Sequence, residues 1–272
     1  MIKKDNVVLS KAEKNDLMRK KLYMVLPIVS LVLLIILWLV ASSGNSEFPS
    51  PSMVWERYLL ILEKPIKGLG LFGHVMASLK RVFIALVLSW VLGISFGILI
   101  GWNKKANAFL GPIFTAFRSV PPLAWIPLIT IWFGTGEPSK ILVVFIGSLA
   151  CIVVNTQAGM SNVDKLYLDV GTIFNATNKQ KLFKIAIPSA LDAIFAGIRT
   201  SASAAWMVVL AAEMLGGKSG IGFLITRGMD GRDQALVLLS MICIGIVGAI
   251  LAIVTQIAER VICPWTRKKK SN

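Results

Sequence analysis

Two charged side chains fall where charge is costly. Arg199 lies about nine residues into the apolar run Ala190 to Ala212, and Glu213 closes that run. At ~1.5 Å per residue the guanidinium stands ~14 Å along a helix. Ionisable groups at membrane depth are expensive and default to pathway, relay or gating roles. Arg199 could therefore line an anion path, or snorkel or pair internally. Glu213 could gate the far end of the run or merely close it. With Ser203 of the same run they form the candidate pathway set. Asp192, near the start of the run, reads as solvated. Gly197, Ser201, Ala204 and Ala205 make one small-residue face that permits close helix contact.

Other chemistry finds no support. His74 is the only histidine, and a lone histidine beside an apolar run reads as an interfacial or capping residue. Cys151, Cys243 and Cys263 lie in or beside apolar runs without a C-x-x-C pair, so no metal site is expected. Gly217-Lys218-Ser219 looks like the end of a phosphate-binding loop, but the position of its first glycine is Ala212 and no strand precedes it. Asn175-Ala176-Thr177 fits the N-glycosylation pattern as a chance match. No catalytic residue is assigned. A net charge of +15 could suggest nucleic acid. The basic residues sit at the chain ends and between apolar runs rather than along a helix face, so no nucleic-acid partner is expected.

The elements that position these residues are membrane spans. Of the 272 residues 56% are hydrophobic and only 16% charged, against about a quarter charged in soluble domains. Ala235 to Ile257 carries no charge over 23 positions, and about 20 such residues cross a bilayer. Six spans of an all-α membrane protein are expected, at Leu22 to Ala41, 82–101, 109–133, 141–156, 190–212 and 235–257. The first is read as an uncleaved span, because its apolar run exceeds a signal core. The third holds Pro112, Pro121, Pro122 and Pro127. It should be bent and buried among other helices, because freed carbonyls need protein or a water-filled cavity. Ser52 is a candidate cap for a short interfacial helix through Glu63, with Trp55, Tyr58, Leu59 and Leu62 on one face. Around the spans lie a basic segment at 1–21, an extracytoplasmic segment at 42–74, a core domain at 75–260 and a basic tail at 261–272. Segments on the N-terminal side of the membrane hold 19 Lys and Arg, Arg118 among them, and those on the other side hold 9. Both termini are therefore expected in the cytoplasm.

Residues 157–189 form the longest connection on that side. Leu166, Val170, Ile173 and Phe174 fall at helical spacing, as do Leu182, Ile185 and Ala186, with a turn at Asn175-Ala176-Thr177-Asn178 between them. This segment resembles the EAA loop of ATP-binding-cassette (ABC) permeases. Asp169-Val170-Gly171 stands for Glu-Ala-Ala, Asn175 for the motif glycine, and Ile187-Pro188 for its end. Asparagine is the side chain best able to replace glycine at positive φ, so the turn should survive. Flanking runs resemble the permeases for nitrate, sulfonate, taurine, bicarbonate and related solutes. They are Phe48-Pro49-Ser50-Pro51, Ser78-Leu79-Lys80-Arg81-Val82, Val120 to Leu128, Trp132 to Glu137, Ala212-Glu213-Met214-Leu215 and Gly220-Ile221-Gly222.

The resemblance implies an ABC type-1 importer transmembrane domain in the bacterial cytoplasmic membrane, working with a second permease copy. Its partners would be a cytoplasmic ATPase that binds ATP and Mg and an extracytoplasmic substrate-binding protein, with a small anion as solute. It further implies that Ala176 to Phe183 is the coupling helix. The coupling residues would be Asp169, Gly171, Asn175, Ala176, Lys179, Lys181, Phe183 and Pro188. An ion-gradient-driven secondary transporter is the alternative and would need carboxylates within the spans. A membrane-embedded enzyme would need clustered His, Asp or Glu at membrane depth.

Overall fold

The computed structural model describes residues 11–44 and 48–262. Residues 1–10, Cys263 and the basic tail Arg267 to Asn272 lie outside that description. The described residues are helical apart from turns and one isolated bridge between Ile66 and Leu69.

The chain forms two compact units, 1–56 and 57–272. In the first, α1 (Lys11–Gly44) carries the apolar run, and the window Val25–Gly44 is wholly unburied. A run of exposed leucine, valine and isoleucine of this length fits only a hydrocarbon surrounding. The Trp38 indole N–H donates to the Pro49 carbonyl at 3.0 Å and ties the segment after the helix back onto it. Helix α2 (Pro51–Glu63) begins one residue before the expected cap. Ser50 Oγ, not Ser52, accepts the Met53 amide, and Pro51 takes the first helical position, where a missing N–H costs nothing. Val54 and Ile61 are its buried residues, whereas Trp55, Leu59 and Leu62 of the expected face are exposed.

The second unit is a helix bundle. Its long helices are α3 (Leu71–Trp102), α6 (Glu137–Ser161), α9 (Ile187–Met214) and α11 (Gln234–Ile262). With α1 they are, among the described residues, the five helices long and apolar enough to cross a membrane. The bent pair α4 (Lys104–Ser119) and Pro122–Phe133, whose halves meet at 86°, makes a sixth candidate if it counts as one broken span rather than a re-entrant loop. The bend is chemical. A residue before proline avoids the α region, so Val120 and Pro121 are extended. The chain then restarts through a 3-10 turn, Pro122–Trp125, into α5 (Ile126–Phe133). The expected burial of this span holds only for Phe114, Ile126 and Ile129.

Small residues set the packing. Gly93, Gly97 and Gly101 repeat every fourth position on α3 and receive Ile152, Thr156 and Met160 of α6, which runs parallel to it. A Cβ on Gly97 would stand 2.6 Å from that of Thr156. Such stripes let backbones approach where lipid offers no hydrophobic drive.

Two helices start earlier than hydropathy indicates. Helix α3 begins at Leu71 rather than 82, and α6 at Glu137 rather than 141. The added turns hold His74, Ser78, Arg81, Ser139 and Lys140, polar but buried. The chain is completed by α7 (Lys165–Ile173), α8 (Asn178–Lys181), a π turn Leu182–Ala186 and α10 (Ile221–Asp230). The fifth crossing is continuous from Asn178 to Met214, longer than the 190–212 expected.

Candidate functional site

The bundle has two ends of opposite construction. One carries the hairpin of α7 and α8. Helix α7 is capped at its start by Asp164, whose side chain accepts the Leu166 amide at 2.9 Å. It ends in a Schellman motif: the Ala176 amide reaches the Gly171 carbonyl, and the Asn175 amide reaches that of Thr172, each at 2.9 Å. Asn175 takes φ 53°, the left-handed conformation expected of it. Thr177 and Gln180 then form a capping box that starts α8.

Gly171 is buried where α7 meets the π turn. A Cβ there would come within 2.7 Å of Ile185 Cδ1, so the site accepts no side chain without movement. Lys181 donates to Thr172 Oγ1 at 2.8 Å and staples the two arms together. The π turn has a local cause. Pro188 would clash with the carbonyl four residues back in a regular helix. The Ile187 amide instead reaches five residues back to Leu182, and the widened turn lets the helix run through. Asp169, Asn175, Lys179 and Phe183 are exposed, and Ala176 is half-buried. Leu166, Ile173, Phe174 and Phe183 leave an apolar face open, with Phe174 80% exposed.

The opposite end is closed by a buried ion cluster. Arg81 is 3% exposed and Glu213 0%. All five guanidinium N–H groups are used. Nε and NH2 form a bidentate pair with Glu137 at 2.6 Å each, and NH1 donates to Glu213 Oε1 at 2.6 Å. The remaining two reach the Ser219 carbonyl at 3.0 Å and its hydroxyl at 2.7 Å. Glu213 Oε2 accepts from Ser78 Oγ at 2.9 Å and from the Gly222 amide at 3.0 Å. Ser78 Oγ in turn accepts the Ile221 amide at 3.0 Å. The first amides of α10, which no helix of its own can satisfy, are thus capped by side chains of α3 and α9. His74 Nδ1 accepts the Gly220 amide at 3.2 Å, so its proton sits on Nε2 beside the Ile66 carbonyl. Lys140 stands 3.4 Å from Glu137 and balances the second carboxylate. A Cβ on Gly220 would run into the Glu213 carboxyl, which explains the glycine.

The cluster gathers residues from four separated runs: Ser78 to Val82, Trp132 to Glu137, Ala212 to Leu215 and Gly220 to Gly222. Sequence reasoning set these runs apart but gave Ser78, Arg81 and Glu137 no role. The available signal was the need of a carboxylate at a span end for a counter-charge. Ser219, part of the discarded phosphate-loop match, serves as an Arg81 acceptor.

The candidate pathway residues are not brought together. Glu213 belongs to the cluster, while Arg199 is paired with Glu259 of α11 at 2.7 Å and is 43% exposed. Ser203 is exposed, its hydroxyl donating to the Arg199 carbonyl at 3.3 Å.

Comparison with known proteins matches this architecture. A family profile described as "Binding-protein-dependent transport system inner membrane component" matches residues 93–268. The nitrate import permease protein NrtB of Synechocystis sp. is 35% identical over 250 residues, covering 89% of this chain and 90% of that one. The bicarbonate transport system permease protein CmpB of Synechocystis sp. is 35% identical over 88% of each chain. The taurine transport system permease protein TauC of Escherichia coli is 31% identical over 86% of each. Among solved structures, an inward-facing form of the MetNI methionine ABC transporter shares the fold, with a TM-score of 0.62 at 18% identity. That match covers 79% of this chain and 99% of that one.

Proposed function

The chain belongs to the family of binding-protein-dependent inner-membrane transport components, multi-pass permease subunits of ABC importers, and from that premise we propose that it carries a small anion into the bacterial cytoplasm. The solutes named for its relatives, nitrate, bicarbonate and taurine, support an anionic or zwitterionic solute. ATP and Mg are held by a separate cytoplasmic ATPase, a binding protein delivers solute at the outer face, and a second copy of the permease completes the path.

The observation that carries the proposal is the hairpin. Its backbone is locked by a Schellman turn, a capping box and the Gly171–Ile185 contact, yet Phe174 and Phe183 are left exposed at its surface. A rigid element with exposed aromatic rings is suited to docking in a partner groove, because aromatic anchors dominate protein interfaces. The hairpin end therefore faces the cytoplasm and the ion cluster faces outward, in the sense the Lys and Arg bias requires.

Copurification with the ATPase tests this. Phe174→Asp and Phe183→Asp should release the ATPase and leave the permease melt unchanged, since both rings are exposed in the permease. Deleting residues 169–183 should have the same effect on binding. Retention of the ATPase by the deletion would refute the proposal. So would solute accumulation by vesicles that hold this chain and no nucleotide. Reporters at residue 60 and at the C-terminus check sidedness: the first should read outside and the second inside.

A further inference from the structure

His74 is the only histidine of the chain, and it stands beside the ion cluster with both ring nitrogens engaged. Three side chains hold the first amides of α10. His74 Nδ1 accepts that of Gly220, Ser78 Oγ that of Ile221 and Glu213 Oε2 that of Gly222. His74 and Ser78 lie four residues apart on α3, and both are wholly buried. Of the three acceptors, only an imidazole turns into a donor close to neutral pH.

The closed arrangement has no place for a second ring proton. A proton on Nδ1 would point at the Gly220 N–H, 3.2 Å away, donor against donor. Nε2 already faces the Ile66 carbonyl at 3.2 Å, and the Phe223 ring stacks on the imidazole with centroids 5.9 Å apart. The ring therefore cannot turn to a new acceptor without leaving both. Charge gives the same answer. On α3 itself Arg81 follows seven residues on. Helix α9 brings Glu213, whose oxygens are taken by Arg81, Ser78 and the Gly222 amide. Helix α6 brings Lys140 and Glu137, the latter committed to Arg81. The two cations balance the two carboxylates, so a buried imidazolium would be uncompensated. The segments 64–70 and 215–220 add only cations, Lys64, Lys67 and Lys218, all exposed. Helix α10 adds no charge before Arg227. The partner segment is able to give way. Residues 216–220 hold three glycines, with Gly216 at φ 73° and Gly220 at φ 107°, and glycine meets little steric resistance to such a rearrangement. The way in for a proton is short, because Lys64, Pro65, Lys67 and Gly68 around the Ile66 carbonyl are exposed.

We propose that His74 is a proton-operated latch on the start of α10. The neutral ring holds Gly220. The protonated ring releases residues 216–220, and with them the two contacts of Ser219 with Arg81. The open segment leaves a solvated histidine that takes up its proton near pH ~6.5, whereas the closed one excludes it. Closure is therefore favoured at high pH and lost as pH falls. Between pH 7.5 and pH 5.5 the ratio of closed to open should drop about tenfold. That the acid is that of the outer medium rests on the orientation read above; the latch itself does not.

The test is hydrogen exchange of the full-length permease in lipid nanodiscs at pH 7.5 and pH 5.5, expressed as protection factors so that the intrinsic pH dependence of exchange cancels. Nitrogen-15 spectra of protein labelled only at histidine report the one ring alongside it. In the wild type, protection at residues 219–224 should fall about tenfold on acidification, while residues 143–153 in the middle of α6 should not change. His74→Asn puts a carboxamide oxygen in place of Nδ1 that takes up no proton in this range. It should stay protected at pH 7.5 and lose less than about twofold at pH 5.5. His74→Phe keeps the stack on Phe223 without an acceptor and should leave the segment poorly protected at both pH values. The wild-type ring should carry its single proton on Nε2 at pH 7.5 and gain the second over the range in which protection falls, which decides the matter if His74→Asn does not fold. The inference is overturned if wild-type protection at 219–224 is the same at both pH values, if His74→Asn loses it as steeply as the wild type, or if the ring gains its second proton with protection unchanged. None of these results touches the permease reading. Conversely, reporters that place residue 60 inside would remove the outward orientation and leave the latch standing.

Discussion

Replacing Arg81 by methionine removes one partner from a cluster whose groups differ in their access to water. Glu137 has a side chain 57% exposed and keeps Lys140 nearby. Water can replace the guanidinium there, and that half of the loss should stay below about 1 kcal/mol. Glu213 has no exposure and keeps only Ser78 and the Gly222 amide. Breaking a buried pair from one side costs about 3–5 kcal/mol because the remaining charge is stranded. Two surviving hydrogen bonds soften that penalty, so the expected loss lies nearer about 3 than about 5 kcal/mol. Arg199→Met is the control. Its guanidinium is 43% exposed, and its pair with Glu259 should be worth about 0–1 kcal/mol. Melting of the purified permease in mild detergent, all variants side by side, separates the two cases. Adding Glu213→Gln to Arg81→Met removes the stranded charge and should recover part of the loss. If Arg81→Met melts no lower than Arg199→Met, or the double variant is as unstable as the sum of the singles, the cluster does not carry the buried charge described.

Three further outcomes follow from local geometry. Asn175→Gly should leave the hairpin intact, because φ 53° suits glycine. Asn175→Val should destabilise it by about 1–2 kcal/mol, read as faster hydrogen exchange across residues 165–187. Thr177→Ala removes the side-chain half of the capping box and should cost about 1 kcal/mol locally. Exchange at residues 178–186 should rise with little change in the global melt. Gly97→Leu must push against Thr156, whose Cβ and Cγ2 would lie within 2.9 Å of the new Cβ. It should lower the melt by the equivalent of about 1–3 kcal/mol, whereas Gly245→Leu, with open space around it, should not.

The sequence was readable where one residue's environment depends on its neighbours in the chain. Apolar runs mark the spans, Pro121-Pro122 marks the bend, and Asn175 marks a left-handed turn. Reading failed where burial depends on a distant partner. Hydropathy scores Ser78, Arg81 and Lys140 as solvent, yet each is buried, and the contacts of Ser78 and Arg81 with Glu213 span more than 130 positions. The helix starts were misplaced for the same reason. The Gly93, Gly97, Gly101 stripe was passed over, although its small-xxx-small spacing stands in the sequence. Which helix it receives does not, because the repeat is equally compatible with any apolar face. The pairing of Arg199 with Glu259 likewise needed the register of α9 against α11.

The distribution of satisfied groups constrains how the bundle can move. Transport needs two arrangements of the helices whose balance a partner can bias. Helix α9 continues from the hairpin, through the π turn, to Glu213 in the opposite cluster. A displacement applied at Phe174 and Phe183 therefore reaches the far end through one element. An arrangement that parted Arg81 from Glu213 would strand a buried carboxylate at about 3–5 kcal/mol, before any other contact was lost. Tilting α9 with the cluster intact avoids that cost. Among the contacts at mid-depth, those of Gly147 with Val208 and of Gly197 with Ile152 are between small or apolar groups. Sliding there would also part the neutral hydrogen bonds of Trp90 to Ser201 at 2.9 Å, Asn155 to Thr200 at 3.4 Å and Trp206 to the Ile244 carbonyl at 3.2 Å, each worth about 0.5–1.5 kcal/mol, but no ion pair. The physically cheaper motion thus pivots at the ion cluster and opens or closes the span beneath it, where Arg118 and the bend lie. A cysteine pair that locks α9 to α3 beside the cluster should then spare transport, whereas one that locks α9 to α6 at mid-depth should stop it. Loss of transport on locking the cluster end would place the pivot elsewhere.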